Sequence, residues 1–342
     1  MSRTNIFDIK RIWTSILGFI DGISDFRKTL LRPLVLKLLK LSSFLPEQVI
    51  FPVRILLARL LPWNPLSMEK SSPMAIYLLT TRKDLDVLPY SLVSTINNIA
   101  TNRSMITVVS PQECFSEING LIKEMRLEGR VGAKSDESLL EQFDLERKDF
   151  PNGHSLMQVL KFLCVLAAES ETSIVLDGDT IFLRRRVWAT ENRAVLVVPP
   201  EYQASHVRFV SKYFPTVGKS RLGFTTQAQV MNKQWVEEMF NSVGGFEYVI
   251  SSFTGAMRSY ISNIELDSFP CEWQFLGDWL MTFKPESVEV ASYLNVSSDR
   301  NLYISSSNTD LSEKFLNSWL RNLSEDFPSV ASLSLHAYKN SL

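Results

Sequence analysis

The sequence predicts an α/β protein with a mostly parallel sheet flanked by helices, preceded by an α-helical region. Three observations carry this. Apolar runs of strand length alternate with helical patterns from residue 75 onward. One of those runs leads straight into a pair of acids, Asp177 and Asp179. The first 70 residues differ from the rest in charge and periodicity.

The chain has 342 residues, a net charge of -1, 45% hydrophobic and 21% charged residues, values of an ordinary globular protein. Near-neutrality argues against a nucleic-acid binder, which carries a basic surplus. Cys114, Cys164 and Cys271 are few, odd in number and far apart, so no disulfide framework or Cys-rich zinc site is expected, and a cytoplasmic setting is. The total conceals an asymmetry. Residues 1–65 hold ten Lys/Arg against four acids, a surplus of six, and the other 26 basic and 33 acidic residues leave −7.

The head, residues 1–70, is expected to be helical. Leu30, Leu31, Leu34, Leu38 and Leu41 recur near helical spacing among Arg32, Lys37 and Lys40, with Pro33 expected in a first turn. Val49 to Leu61 repeats the pattern. Charges interrupt every apolar run before the roughly 20 residues that a bilayer span needs. Two readings stand side by side: basic amphipathic helices on an anionic membrane surface, making the protein peripheral at the inner face, or helices packed on the chain's own core or a partner. Ser67 to Pro73 reads as a linker to the body, residues 71–342.

In the body, Ala75–Thr80 is a short apolar strand, Leu85–Ala100 a helix and Ser104–Val109 a second strand, an order that predicts a right-handed βαβ unit. Glu113–Gly129 is a further helix, and the polar stretch from Gly129 to Gly153 reads as loops. His154–Glu169 is a helix with Leu156, Val159, Leu160, Leu163 and Leu166 on one face. Ser173–Leu176 is a strand that ends in Asp177-Gly178-Asp179-Thr180.

That turn is the most informative point in the chain. Ligands of open α/β sheets bind at the carboxyl edge of the strands. Two carboxylates one residue apart repel unless a cation or proton lies between them, and hard oxygen ligands suit Mg²⁺ or Mn²⁺. A metal there bridges a diphosphate and stabilises it as a leaving group. Gly178 lets a ligand approach the backbone. The competing reading is a surface turn, because Asp-Gly is common turn chemistry.

With its flanks, Ser-Ile-Val-Leu-Asp-Gly-Asp-Thr-Ile-Phe-Leu resembles the Asp-x-Asp region of GT-A glycosyltransferases. The body is similar to a bacterial glycosyltransferase-like family of unknown function. Lys83-Asp84 follows the first strand, Gln158 and Lys161 lie one turn apart before the acids, Pro270–Gly277 stands at the place of a downstream acidic motif, and His336 and Lys339 come late. Trp273 departs from the Tyr usual in that motif. The resemblance covers about residues 74–340 and implies a Rossmann-type GT-A fold and a nucleotide-sugar donor. It implies that Thr80, Arg82 and Asp84 line the nucleotide pocket, with Gln158 and Gly178. It further implies that Lys161 reaches a phosphate or the base, and that Asp177 and Asp179 hold the metal and the sugar-diphosphate. His336 completes the metal shell and Lys339 neutralises the departing diphosphate. Glu272 or Asp278 is the base that activates an acceptor hydroxyl.

The reading is thus a metal-dependent glycosyltransferase acting on a glycan or lipid-linked acceptor. Two alternatives remain open. Haloacid-dehalogenase-like phosphatases carry Asp-x-Asp after a strand, which would make Asp177 a nucleophile, but on their first strand and with a second acid where Thr282 stands here. A non-catalytic, membrane-tethered binding module is the other.

Overall fold

Strands and helices alternate through most of the chain. Helix α1 (Asp25–Ser42) comes first, followed by β1 (Ala75–Leu79), α2 (Leu88–Asn98), β2 (Ile106–Ser110), α3 (Phe115–Glu124), β3 (Val131–Ser135), α4 (Asp136–Glu141), α5 (Gly153–Leu166) and β4 (Thr172–Asp177). Then come β5 (Thr180–Phe182), β6 (Ala194–Val198), α6 (Ala204–Tyr213), β7 (Ala228–Asn232), α7 (Lys233–Val243), α8 (Phe246–Ile261), α9 (Glu272–Phe283), β8 (Val288–Ser292), β9 (Leu294–Asp299) and β10 (Val330–His336). The computed structural model describes residues 25–42, 44, 53–54, 56–57, 59–61, 74–99, 104–299 and 330–336.

The main sheet has the order β3-β2-β1-β4-β7. β3, β2, β1 and β4 are parallel and β7 runs antiparallel to β4. The expected mostly parallel sheet is therefore present. Successive side chains of a strand point to opposite faces, and the core divides accordingly. Ile76, Leu78, Ile174 and Leu176 join Leu88, Leu92, Ile118 and Ile122 of α2 and α3 on one side. Leu79, Val109 and Val175 join α5 to α9 on the other, with Phe162, Phe209, Phe240, Phe253 and Phe275 at its centre. The near-continuous apolar runs of β1, β2 and β4 are what strands covered on both faces require.

Two smaller sheets flank it. β10 pairs antiparallel with β5 and parallel with β9. β6 and β8 pair in parallel, and the Gln229 side chain of β7 exchanges hydrogen bonds with the Val197 backbone at 3.3 and 3.2 Å, tying that pair to the main sheet.

Two expectations are corrected. The stretch 129–153 is not all loop: it contains β3 and α4. β3, Val-Gly-Ala-Lys-Ser, is an edge strand held by backbone pairing with β2, so it needs little apolar sequence. Ser135 then caps α4, its hydroxyl accepting from Ser138 N at 3.1 Å. Pro33 is not in a first turn but inside α1, which already runs from Asp25. It removes one i→i−4 hydrogen bond, and the helix continues past it.

The head is joined to the body. Val35, Leu39, Leu57 and Leu61 are buried in the same core as α5 to α9. Arg54 is fully buried. Its Nε donates to Pro200 O at 2.9 Å, its Nη1 to Leu39 O at 3.2 Å, and its guanidinium lies 4.9 Å from the Tyr202 ring centre. Arg32 of α1 pairs with Glu289 of β8. Residues 1–24 and most of 45–73 lie outside the described residues.

Candidate active site

The acid turn forms where β4 ends, beside β1. Asp177 pairs with Leu79 in register, and Gly178 N donates to Leu79 O at 2.7 Å. This contact decides the middle residue. A Cβ on Gly178 would lie 2.7 Å from Leu79 O and 2.8 Å from the Thr80 Cβ. Only glycine lets the turn lie against the end of β1. Thr80 is buried there, with its hydroxyl lacking a hydrogen-bond partner among the described residues.

Behind the turn lies a buried ionic cluster. Helix α5 starts at a cap in which Asn152 Oδ1 accepts from Ser155 N at 2.9 Å. Gln158 and Lys161, one turn apart and both buried, face the start of α9. Lys161 Nζ lies 2.8 Å from Asp177 Oδ1 and 2.7 Å from Glu272 Oε1, and 4.7 Å from the Trp273 ring centre. Gln158 Oε1 accepts from the Glu272 backbone N at 2.9 Å, satisfying an N–H that the first turn of a helix leaves without an intrahelical partner.

The electrostatics follow from burial and charge. Burial opposes the charge on Lys161, but Asp177 and Glu272 outweigh it and hold its pKa above the ordinary lysine value. Burial raises the Glu272 carboxyl and the Asp177 charge adds to this, with Lys161 opposing. Glu272 is 1% exposed, and its Oε2 has no hydrogen-bond partner among the described residues.

Asp179 is half-buried. Its backbone carbonyl accepts from Leu335 N at 3.0 Å, which brings the end of β10, and with it the backbone of His336, next to the acid turn. The His336 side chain and all of Lys339 lie outside the described residues. Thr180 Oγ1 lies 3.1 Å from Ser334 Oγ, fastening the turn to β10 from its far side.

Asp177, Gly178, Asp179, Thr80, Lys161, Gln158 and Glu272 are therefore brought together. Lys161 does not occupy the place implied for it. It is buried between two carboxylates, not open to a phosphate or a base. Asp278 is also corrected as a base: it is fully buried, one oxygen accepting from Ser220 N at 2.9 Å and the other from Gln274 Nε2 at 3.0 Å. With Gln274 and Thr282 it holds the 218–224 segment on α9. Arg82 is exposed and 3.5 Å from Glu117, and buried Asp84 accepts from Thr81 Oγ1 at 2.6 Å in the turn after β1.

Two carboxylates fit a divalent cation that keeps waters and shares its shell with substrate phosphates, the usual habit of Mg²⁺. Among the described residues no cluster of three or more His, Cys, Asp or Glu stands ready to hold a metal. Cys114, Cys164 and Cys271 are free and buried.

No family model matches the chain, and no curated protein matches it. Solved structures do. Mouse xyloside xylosyltransferase 1 in its apo form is 14% identical, with 79% of this chain and 98% of that one aligned and a TM-score of 0.43. The galactosyltransferase LgtC, in complex with donor and acceptor sugar analogues, is 15% identical over 77% of this chain and 87% of its own, with a TM-score of 0.41. The glycosyltransferase GlyE of Streptococcus pneumoniae TIGR4 is 13% identical over 77% of this chain and 55% of its own, with a TM-score of 0.36.

Proposed function

We propose that the protein is a metal-dependent glycosyltransferase that moves a sugar from a nucleotide-sugar to a glycan or lipid-linked acceptor. The observation that supports this most is the acid turn at the carboxyl end of β4, with one of its carboxylates held by a buried lysine.

Asp177 and Asp179, with His336, are the residues that would hold Mn²⁺ or Mg²⁺, which when bound neutralises the diphosphate of the donor. The other residues have their own tasks. Lys161 takes one oxygen of Asp177 and fixes its rotamer. Gly178 keeps the turn flat against β1. Thr80, whose hydroxyl is otherwise without a partner, donates to the donor. Glu272 is buried like Asp278, but where both Asp278 oxygens are occupied its Oε2 is without a partner while Oε1 stays on Lys161, so it is Glu272 that accepts the proton of the acceptor hydroxyl. In net terms the sugar's anomeric carbon exchanges its bond to the diphosphate oxygen for one to the acceptor oxygen, and the proton leaves through Glu272.

The test is turnover. Purified protein with Mn²⁺ and a panel of UDP- and GDP-sugars is assayed for released nucleoside diphosphate. At least one donor is expected to turn over, and Asp179→Ala is expected to abolish it. A covalent phosphate on Asp177 from a phosphate-ester substrate would overturn the reading in favour of a phosphatase.

A further inference from the structure

We infer that the outward face of α1 is a docking surface for an anionic lipid bilayer, with α1 lying in the plane of the interface. This goes beyond the reaction proposed above and does not depend on it.

The structure resolves which side of α1 is which. Val35, Leu39 and Ser42 point inward and are buried. The leucine stripe seen in the sequence points the other way: Leu30 is 69% exposed, Leu31 40%, Leu34 56%, Leu38 40% and Leu41 53%, and Phe44 continues it at 67%. Large apolar residues contiguous on a surface mark a contact with something apolar. The helix carrying them is tied to the body through Arg54 and Arg32.

Charge selects the occupant. Arg27 and Lys37 are exposed on α1 itself. Beyond its end, the Arg221 guanidinium lies 4.1 Å from the Phe44 ring centre, at the rim of a cleft of about 530 Å³ that also carries Lys219, while the cleft's Arg208 and Lys212 are paired with its acids Asp267 and Glu265. An apolar stripe bordered by basic groups matches the acyl boundary and the anionic headgroups of a bilayer surface. Among the described residues no helix is long and apolar enough to cross a membrane. The cleft's 218–224 wall is the segment held by Gln274 and Asp278 of α9, the helix that begins with Glu272.

The test is flotation of the full chain with vesicles of phosphatidylcholine alone and of phosphatidylcholine mixed with phosphatidylglycerol, with thermal melting and light scattering as controls. The wild type is expected to float with the mixed vesicles far more than with the neutral ones. Leu34→Asp/Leu38→Asp, both on the exposed face, is expected to melt like the wild type and to lose flotation. Arg27→Glu/Lys37→Glu is expected to weaken binding to the mixed vesicles by about ten-fold or more. Any of the following results would overturn the inference. One is no binding to either vesicle, or equal binding to both. Another is unchanged flotation of the Leu34/Leu38 variant, which would place the contact elsewhere, such as in residues 1–24. The third is a wild-type dimer that becomes monomeric in that variant with no vesicle binding, which would make a second copy the occupant.

Discussion

Lys161 Nζ lies 2.8 Å from Asp177 Oδ1, joining a buried helix side chain to the acid turn at the end of β4. The same ammonium holds Glu272, 111 residues further along the chain. Removing one member of a buried ion cluster leaves an uncompensated charge, at a cost of about 3–5 kcal/mol. Lys161→Met is therefore expected to be strongly destabilised in urea denaturation. Adding Glu272→Leu is expected to restore part of that stability without restoring transfer activity. Full activity in the double variant would contradict the assignment.

Gly178→Ala tests the turn without touching a charge. Its Cβ would meet the backbone oxygen of Leu79, which cannot move without disturbing β1. A shift of the acids by about 1 Å is expected to lower turnover on the order of 10²-fold. Circular dichroism is expected to show the fold retained.

Asp278→Ala separates packing from catalysis. It leaves the Ser220 N–H buried without its acceptor, at a cost of about 1–3 kcal/mol. The melting temperature is expected to fall, while nucleotide affinity of the folded fraction stays near that of the wild type.

These residues show how far the sequence could be read. The acid turn was legible because its strand, turn and following apolar residues are contiguous from Ser173 to Phe182. Gln158 and Lys161 were legible as a pair on one helix. Their real partner was not, because sequence spacing says nothing about what α9 brings across the core to meet them. β3 was missed because an edge strand held by backbone bonds carries little apolar pattern. In α1 the period was visible but its direction was not. Leu30, Leu34, Leu38 and Leu41 form the more conspicuous stripe, yet Val35 and Leu39 are the residues that meet the core.

Acidification is expected to act through His206. The ring is buried, with Nδ1 2.8 Å from Thr225 Oγ1, and burial, aided by the charge of His154, lowers its pKa from 6.5 to about 4. The folded state then binds fewer protons than the unfolded one. Stability is complete above about pH 6.5 and is lost as pH falls toward about 4. Between about pH 7 and pH 5 this one group accounts for about 2 kcal/mol. In His206→Gln, which cannot titrate, denaturation at those two pH values is expected to show a correspondingly smaller loss.

Asp177 and Asp179 are proposed to bind a metal–nucleotide unit. Isothermal titration of the wild type and of Asp179→Ala with UDP and GDP, each with and without Mn²⁺, tests it most directly. The wild type is expected to bind at least one nucleotide in a way that requires Mn²⁺ and is lost in the variant, with both proteins melting alike. Binding that ignores the metal, or that survives unchanged in Asp179→Ala, would contradict it.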